Sequence, residues 1–224
     1  MSAAVRLNKD QIKTSVDLFS VSGLSDASAV SVANTLSKLY GSSTGQAPTA
    51  SLVPSHLILL SAEPRHAHPP SPEIQEHLRD LIVTAHEGAA ALCCGSILAG
   101  QGSETDEYGD IAIWLGDGPY GDNAPEVLAA LGLERWVGGD SASTIGRISL
   151  SPTTGLPESL RPPPPQTSVN KLEELLSRLE NKYAFFVKGG PSAGGAVLQV
   201  LLGYIRIGEE GGWGGIMGVG VWAD

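Results

Sequence analysis

Two long apolar segments near the C terminus constrain the fold of this 224-residue chain most strongly. The first, AVLQVLLGYIRI (196–207), is rich in aliphatic and β-branched residues, and the second, IMGVGVW (216–222), alternates large side chains with glycine. Such runs are typical of β-strands, and the GEEGG that follows the first run supplies the glycines of a turn. The pattern therefore predicts a C-terminal antiparallel hairpin.

Strand-like and helix-like segments alternate along the rest of the chain. The periodicity of LNKDQIKTSVDLF (7–19) and of LSDASAVSVANTLSKLYG (24–41) predicts an N-terminal helix pair. Further helices are predicted to begin at Ser71, to follow Asn123 and to cover 168–182. Strands are predicted over 55–62, 111–116, 143–152 and 183–187, and residues 42–54 are predicted to form a flexible connection. We expect a mixed α+β fold in which helices pack on a mixed β-sheet.

The proline-rich segment between Pro152 and Pro165, which ends in RPPPP, is the clearest linker in the sequence. It divides the chain into a main α/β region with the helix pair (1–151), a linker (152–167) and a C-terminal helix with antiparallel strands (168–224). We expect the last part to complete the sheet of the main region, because a separate domain of that size would be marginally stable.

Composition and charge exclude some classes of partner. Hydrophobic residues make up 42% of the chain, which is enough for a core, and the formal net charge is −10. An acidic surface repels phosphate backbones and anionic lipid headgroups, so we expect neither nucleic acid nor membrane binding. The two cysteines, Cys93 and Cys94, are adjacent and do not form a disulfide framework, which favours an intracellular, cytoplasmic protein.

The segment between 111 and 131 contains a possible cofactor site. Gly116, Gly118 and Gly121 follow an apolar strand with the spacing G-x-G-x-x-G, and Asp140 lies about twenty residues later. Glycines at this spacing let a backbone approach a pyrophosphate, and a following acid can bind a ribose hydroxyl. One hypothesis is therefore a small-molecule or dinucleotide-binding enzyme that uses this turn.

Two features of the same turn argue against a nucleotide. Asn123 and Glu126 have capping-box spacing, which starts the helix after Gly121 and too late to direct its amides at a phosphate. Asp117 and Asp122 flank the glycines and would place negative charge beside the pyrophosphate. We therefore expect no cofactor, and nucleotide binding by the glycine turn remains the alternative hypothesis.

Other candidate sites are weaker. His66 and His68 lack a second pair of ligands, so we expect no metal, and the acidic run Glu104, Asp106, Glu107, Asp110 is expected to be a solvated loop. Trp213 and Trp222 lie in the glycine-rich C terminus, where large amphipathic rings suit the centre of a partner-binding surface.

No nucleophile, base and orienting group can be assembled from nearby residues, so the catalytic residues are unknown. We predict a non-catalytic, intracellular protein that acts in protein–protein interaction or complex assembly, with a protein partner or a homo-oligomer. The alternative is the small-molecule or dinucleotide-binding enzyme with the Gly116–Gly121 turn.

Overall fold

A computed structural model describes residues 4–6, 26–40, 49–53, 57–61, 70–104, 106–137, 144–160, 167–189 and 195–222. The helices of the described part are α1 (Asp26–Tyr40), α2 (Pro72–Ala91), α3 (Ala124–Ala130) and α4 (Thr167–Ser177). Its strands are β1 (Ala4–Arg6), β2 (Thr49–Val53), β3 (Leu57–Ser61), β4 (Ile111–Gly116), β5 (Thr144–Ile148), β6 (Leu179–Lys188), β7 (Ala196–Ile207) and β8 (Glu210–Val221).

The eight strands form one mixed sheet in the order β1-β2-β3-β4-β8-β7-β6-β5. Only β3 and β4 pair in parallel, and every other neighbouring pair in the sheet is antiparallel. The long α2 lies in the connection between the two parallel strands, as a parallel crossover requires. The predicted mixed α+β fold is confirmed.

The C-terminal hairpin is confirmed and is longer than predicted. Strands β7 and β8 pair without interruption from Ala196↔Val221 to Ile207↔Glu210, which leaves a turn of only two residues. Gly208 in that turn has φ +64°, a left-handed value that glycine adopts without strain. The second strand begins at Glu210, so the two glycines that follow it belong to the strand rather than to the predicted turn.

Helices cover both faces of the sheet and create two hydrophobic layers. On one face, α1 and α3 pack on odd-numbered residues of β4, β6 and β8 and on even-numbered residues of β7, and Leu36 and Leu128 are buried there. On the other face, α2 and α4 pack on the alternate residues of the same strands, and Leu78 and Leu172 are buried there. The sheet is therefore buried on both sides in its centre.

Helix α2 begins where the sequence predicts. Ser71 caps it by accepting a hydrogen bond from the Ile74 amide to its side-chain oxygen at 3.4 Å, and Pro72 occupies the first helical turn. The helix continues past His86 through Gly88 to Ala91, where it packs against α4.

Three local predictions are wrong. The connection predicted over 42–54 contains β2, which pairs with β1 and β3 at the end of the sheet. The helix predicted over 168–182 ends at Ser177, although its expected Glu174–Arg178 ion pair is present at 2.9 Å. Residues from Leu179 onward instead pair with β7, because sheet pairing outweighs a local preference for helix. The third error, at Asp110, concerns the site described below.

Some predictions lie outside the described residues. These are the first helix of the N-terminal pair, the histidines at 66 and 68, the acid at 140 and the RPPPP segment. The division at residues 152–167 stays a prediction; within it, Leu156 and Leu160 are buried in the layer formed by α2 and α4.

Two glycines should respond in opposite directions to substitution by alanine. Gly215 in β8 has the Leu201 backbone carbonyl where its Cβ would lie. A Cβ at Gly88 would make ordinary van der Waals contacts, the nearest with Ile97 at 3.6 Å. We expect Gly215→Ala to lower the free energy of unfolding by about 3 kcal/mol or more. Gly88→Ala should raise it by about 0.5–1 kcal/mol, because alanine favours the helix.

Urea denaturation of both variants measures these changes. A Gly215→Ala protein as stable as the wild type would contradict the close packing of β8 against β7.

Candidate functional site

The glycine turn connects β4 to α3. Gly116 ends the strand with φ +72°, and the helix begins only at Ala124, as the predicted cap requires. Asn123 accepts a hydrogen bond from the Glu126 amide at 3.4 Å and donates one to the Pro119 carbonyl at 3.1 Å. The side chain of Asn123 is thus engaged with the backbone of the turn and of the first helical residues.

Aromatic rings occupy the space beside the other two glycines. The Tyr120 ring lies where a Cβ of Gly118 would be, and the Trp213 ring would be 2.9 Å from a Cβ of Gly121. The Tyr183 hydroxyl donates a hydrogen bond to the Tyr120 carbonyl. These contacts give both glycines a packing role within the protein, while nucleotide binding by the turn stays a prediction.

The two tryptophans proposed as a partner surface lie on opposite faces of the sheet. Trp213 is buried on the face covered by α1 and α3, with its ring edge-on to Tyr183 and Tyr204 at centroid distances of 6.1 and 5.8 Å. Trp222 is half-buried on the other face, next to Gly220 and Ala99. The structure therefore brings Trp213, but not Trp222, to the glycine turn.

A groove opens between α3 and the edge of the sheet, and we call it the β5 groove. Its volume is about 300 Å³, and its lining is mainly apolar: Ala124, Pro125, Ile145, Gly146, Tyr183 and Phe185, with the Asp122–Arg147 ion pair beside them. Both members of this ion pair are largely exposed, so a ligand in the groove can compete for either charge at little cost in stability. Burial raises the pKa of Tyr183 to about 12, so its hydroxyl stays protonated.

A second and larger depression, the His77 cleft, lies on the opposite face between α2, α4 and the end of β7. Its volume is about 460 Å³, and it is lined by Glu73, Glu76, His77, Asp80, Leu175, Arg178, Ile205, Arg206 and Ile207. Burial lowers the pKa of His77, and the positive charge of Arg178 lowers it further against the opposing effect of Asp80. The imidazole is therefore mainly neutral at pH 7.

Asp110 is not part of a solvated loop, which corrects the sequence-based expectation. Its side chain is fully buried, and its two oxygens accept hydrogen bonds of 2.6 Å from the Ser96 hydroxyl and the Ile97 amide. The absence of a side chain at Gly218 in β8 leaves room for this pair. Glu104, Asp106 and Glu107 are exposed as predicted. The carboxylate thus fixes the turn after Cys94 against the start of β4. The acidic composition of the segment does not predict this structural role.

The buried histidine His86 lies next to this carboxylate but does not form a catalytic triad with it. Its Nε2 bonds the backbone carbonyl of Asp110 at 2.9 Å, whereas the Asp110 carboxylate binds Ser96. Burial, together with the nearby charges of Asp110 and Asp106, raises the pKa of Cys94 to about 12. A protonated thiol is a poor nucleophile, so Cys94 is not activated for attack.

Within the described residues, no group of three or more His, Cys, Asp or Glu side chains is arranged to hold a metal ion. None of the described helices has the length and apolar content that crossing a bilayer requires.

The pH dependence of stability tests the placement of His86. Burial lowers its pKa from 6.5 to about 4, so the unfolded chain takes up a proton between pH 7 and 4 that the folded protein does not. Lowering the pH therefore reduces the free energy of unfolding. We expect His86→Gln to remove this effect. Between pH 7 and 4 the free energy of unfolding of the wild type should therefore fall by about 3 kcal/mol more than that of the variant.

Asp110 provides the control of opposite sign. Its pKa is raised from 3.8 to about 6, mainly by burial, so the folded protein takes up the proton first and gains stability as the pH falls. When the pH is lowered from 7 to 4, the free energy of unfolding of the wild type should rise by about 2 kcal/mol relative to that of Asp110→Asn. Urea denaturation at several pH values measures both differences. If the free energy of unfolding of each variant depended on pH as that of the wild type does, neither group would be buried as described.

The chain was compared with protein-family models, with curated proteins and with solved structures, and it matches none of them.

Proposed function

We propose that this protein is a non-catalytic protein of complex assembly that binds an extended segment of a partner at its β5 edge. The observation that carries the proposal is the position of β5 at the end of an eight-stranded sheet, directly beside the β5 groove. Among the described residues β5 pairs only with β6, so one row of its backbone groups is left to hydrogen-bond another strand.

The side chains of β5 suit this role better than those of the central strands. Thr144 and Arg147 are exposed and Ile145 is half-buried, whereas the middle of β7 is buried throughout. An added strand would gain main-chain hydrogen bonds from β5, and one of its side chains would enter the β5 groove against Ile145 and Phe185. We therefore expect a partner segment with an apolar residue at its centre.

The charge of the protein favours a basic partner. With a net charge of −10 the molecule attracts cationic segments at long range, which raises the rate of association. Basic residues of the partner on either side of its apolar residue would also lie near Asp122, which lines the groove. The proposed ligand is thus an extended peptide with an apolar centre and basic flanks.

We also propose an intracellular, cytoplasmic location. Both cysteines are free, and Cys93 is exposed to solvent. An exposed thiol persists in a reducing compartment, where disulfides are rare. Such a location is consistent with a protein that assembles with other cytoplasmic proteins.

Selection of short random peptides that bind the purified protein tests the proposed function. Recovered peptides should have an apolar centre with basic flanks, and they should protect amides of residues 144–148 from hydrogen exchange. Ile145→Lys should weaken their binding about tenfold or more, because a lysine on an edge strand opposes strand addition.

Val30→Lys is the matched control. Val30 is an exposed β-branched residue of α1, which packs near the start of β4, four strands away from β5. The same change there should leave peptide binding at the wild-type level. Peptides that bind both variants equally, or that protect another strand, would overturn the proposal.

A further inference from the structure

The Asp122–Arg147 ion pair connects the two walls of the β5 groove. Asp122 belongs to the glycine turn on the α3 side, and Arg147 belongs to β5. Both side chains are largely exposed, so the pair contributes little to the stability of the fold. Both also line the groove, so a partner side chain that enters the groove comes close to this pair.

The two members of the pair differ in their freedom to move. Asp122 has a short side chain on a backbone with φ +53°, in a turn that the hydrogen bond from the Asn123 side chain to the Pro119 carbonyl holds in place. Arg147 has a long and exposed side chain, and such side chains change rotamer within nanoseconds. Asp122 is therefore the fixed charge of the groove, and Arg147 is the movable one.

Ile145 and Arg147 lie on the same face of β5. In the pairing with β6 they stand opposite Val187 and Phe185, which are both buried in the layer that contains α1 and α3. Gly146, between them, faces the other side of the sheet, because strand residues alternate. A partner side chain beside Ile145 and another beside Arg147 therefore have to be two positions apart in the added strand.

In the free protein a guanidinium group already binds the Asp122 carboxylate. A basic side chain of the partner would bring the same charge to the same carboxylate, and it would be repelled by Arg147 as long as Arg147 stayed there. We propose that Asp122 binds one basic side chain of the partner, two positions from the apolar residue that contacts Ile145, and that this side chain displaces Arg147. The inference rests on the proposed function, because it specifies the order of residues in the segment that β5 binds.

Three peptides with acetyl and amide caps test the spacing. Thr-Arg-Thr-Leu-Thr-Arg-Thr has an arginine two positions from leucine in either strand direction, whereas its isomer Thr-Thr-Arg-Leu-Arg-Thr-Thr has the arginines next to leucine. Isothermal titration should show that the first peptide binds at least about threefold more tightly than the isomer, because a shift by one position moves each arginine to the opposite face. Equal affinities would overturn the proposal. The third peptide, Thr-Gln-Thr-Leu-Thr-Gln-Thr, is the neutral reference.

Substitution of Arg147 tests the displacement. Arg147→Gln should raise the affinity for the first peptide about threefold to fivefold, because Asp122 is then free to bind the incoming arginine, and it should leave the affinity for the neutral peptide unchanged. Arg178→Gln is the matched control. It removes the same charge from an exposed ion pair, with Glu174 on α4, and it lies outside the β5 groove. No gain with Arg147→Gln, or an equal gain with Arg178→Gln, would contradict the displacement.

A double-mutant cycle separates displacement from simple repulsion by Arg147. Asp122→Asn should weaken binding of the first peptide about threefold to fivefold, because it removes the carboxylate that the arginine contacts. In this background Arg147→Gln should raise the affinity by less than about twofold, since there is no longer a bound guanidinium to displace. The full gain in both backgrounds would show that Arg147 only repels the peptide and does not compete for Asp122.

Hydrogen exchange distinguishes a failure of this inference from a failure of the proposed function. If the first peptide protects amides of residues 144–148 but binds no better than its isomer, β5 accepts a strand and the assignment of Asp122 is wrong. If the peptide does not bind at millimolar concentration, or protects no amide of β5, the proposed function is wrong and this inference is overturned with it.

Discussion

The rest of the structure depends on the pairing of β8 with both of its neighbours. Along one side it follows β7 from Glu210 to Val221, and along the other it follows β4. It therefore joins the strands that precede residue 120 to those that follow residue 140 in one sheet. Its glycines make this central position possible: Gly212 and Gly214 leave space for the Trp114 ring, and Gly218 leaves space for the buried Asp110 carboxylate.

Both candidate sites follow from this arrangement. Because β8 and β7 occupy the centre, β5 is left at an edge of the sheet, and α3 with the glycine turn forms the other wall of the β5 groove. The His77 cleft forms where the end of β7 extends past the contact between α2 and α4. The β5 groove and the His77 cleft lie on opposite faces of the sheet, so a ligand in one does not occupy the other.

Much of the framework could be predicted from the sequence, because periodicity and capping are local signals. The bounds of β4 and β7 and the Ser71 cap of α2 follow from runs of a few residues. Features that depend on distant partners could not be predicted. Leu179 and Glu180 continue the helical periodicity of α4 but pair with β7. Asp110 belongs to an acidic run but is buried, with hydrogen bonds from Ser96 and Ile97. The unpaired nitrogen of His77 likewise depends on how three separate elements meet.

The central claim is that β5 presents an open edge on a sheet whose centre is β8. Native-state hydrogen exchange of the free protein tests it most directly, because it measures the protection of each backbone amide. The amides of β8 should exchange only with global unfolding, and protected and unprotected amides should alternate along Thr144–Ile148, as in an antiparallel strand paired on one side. Protection of every amide in β5 would contradict the claim, because it would show that this edge is already covered.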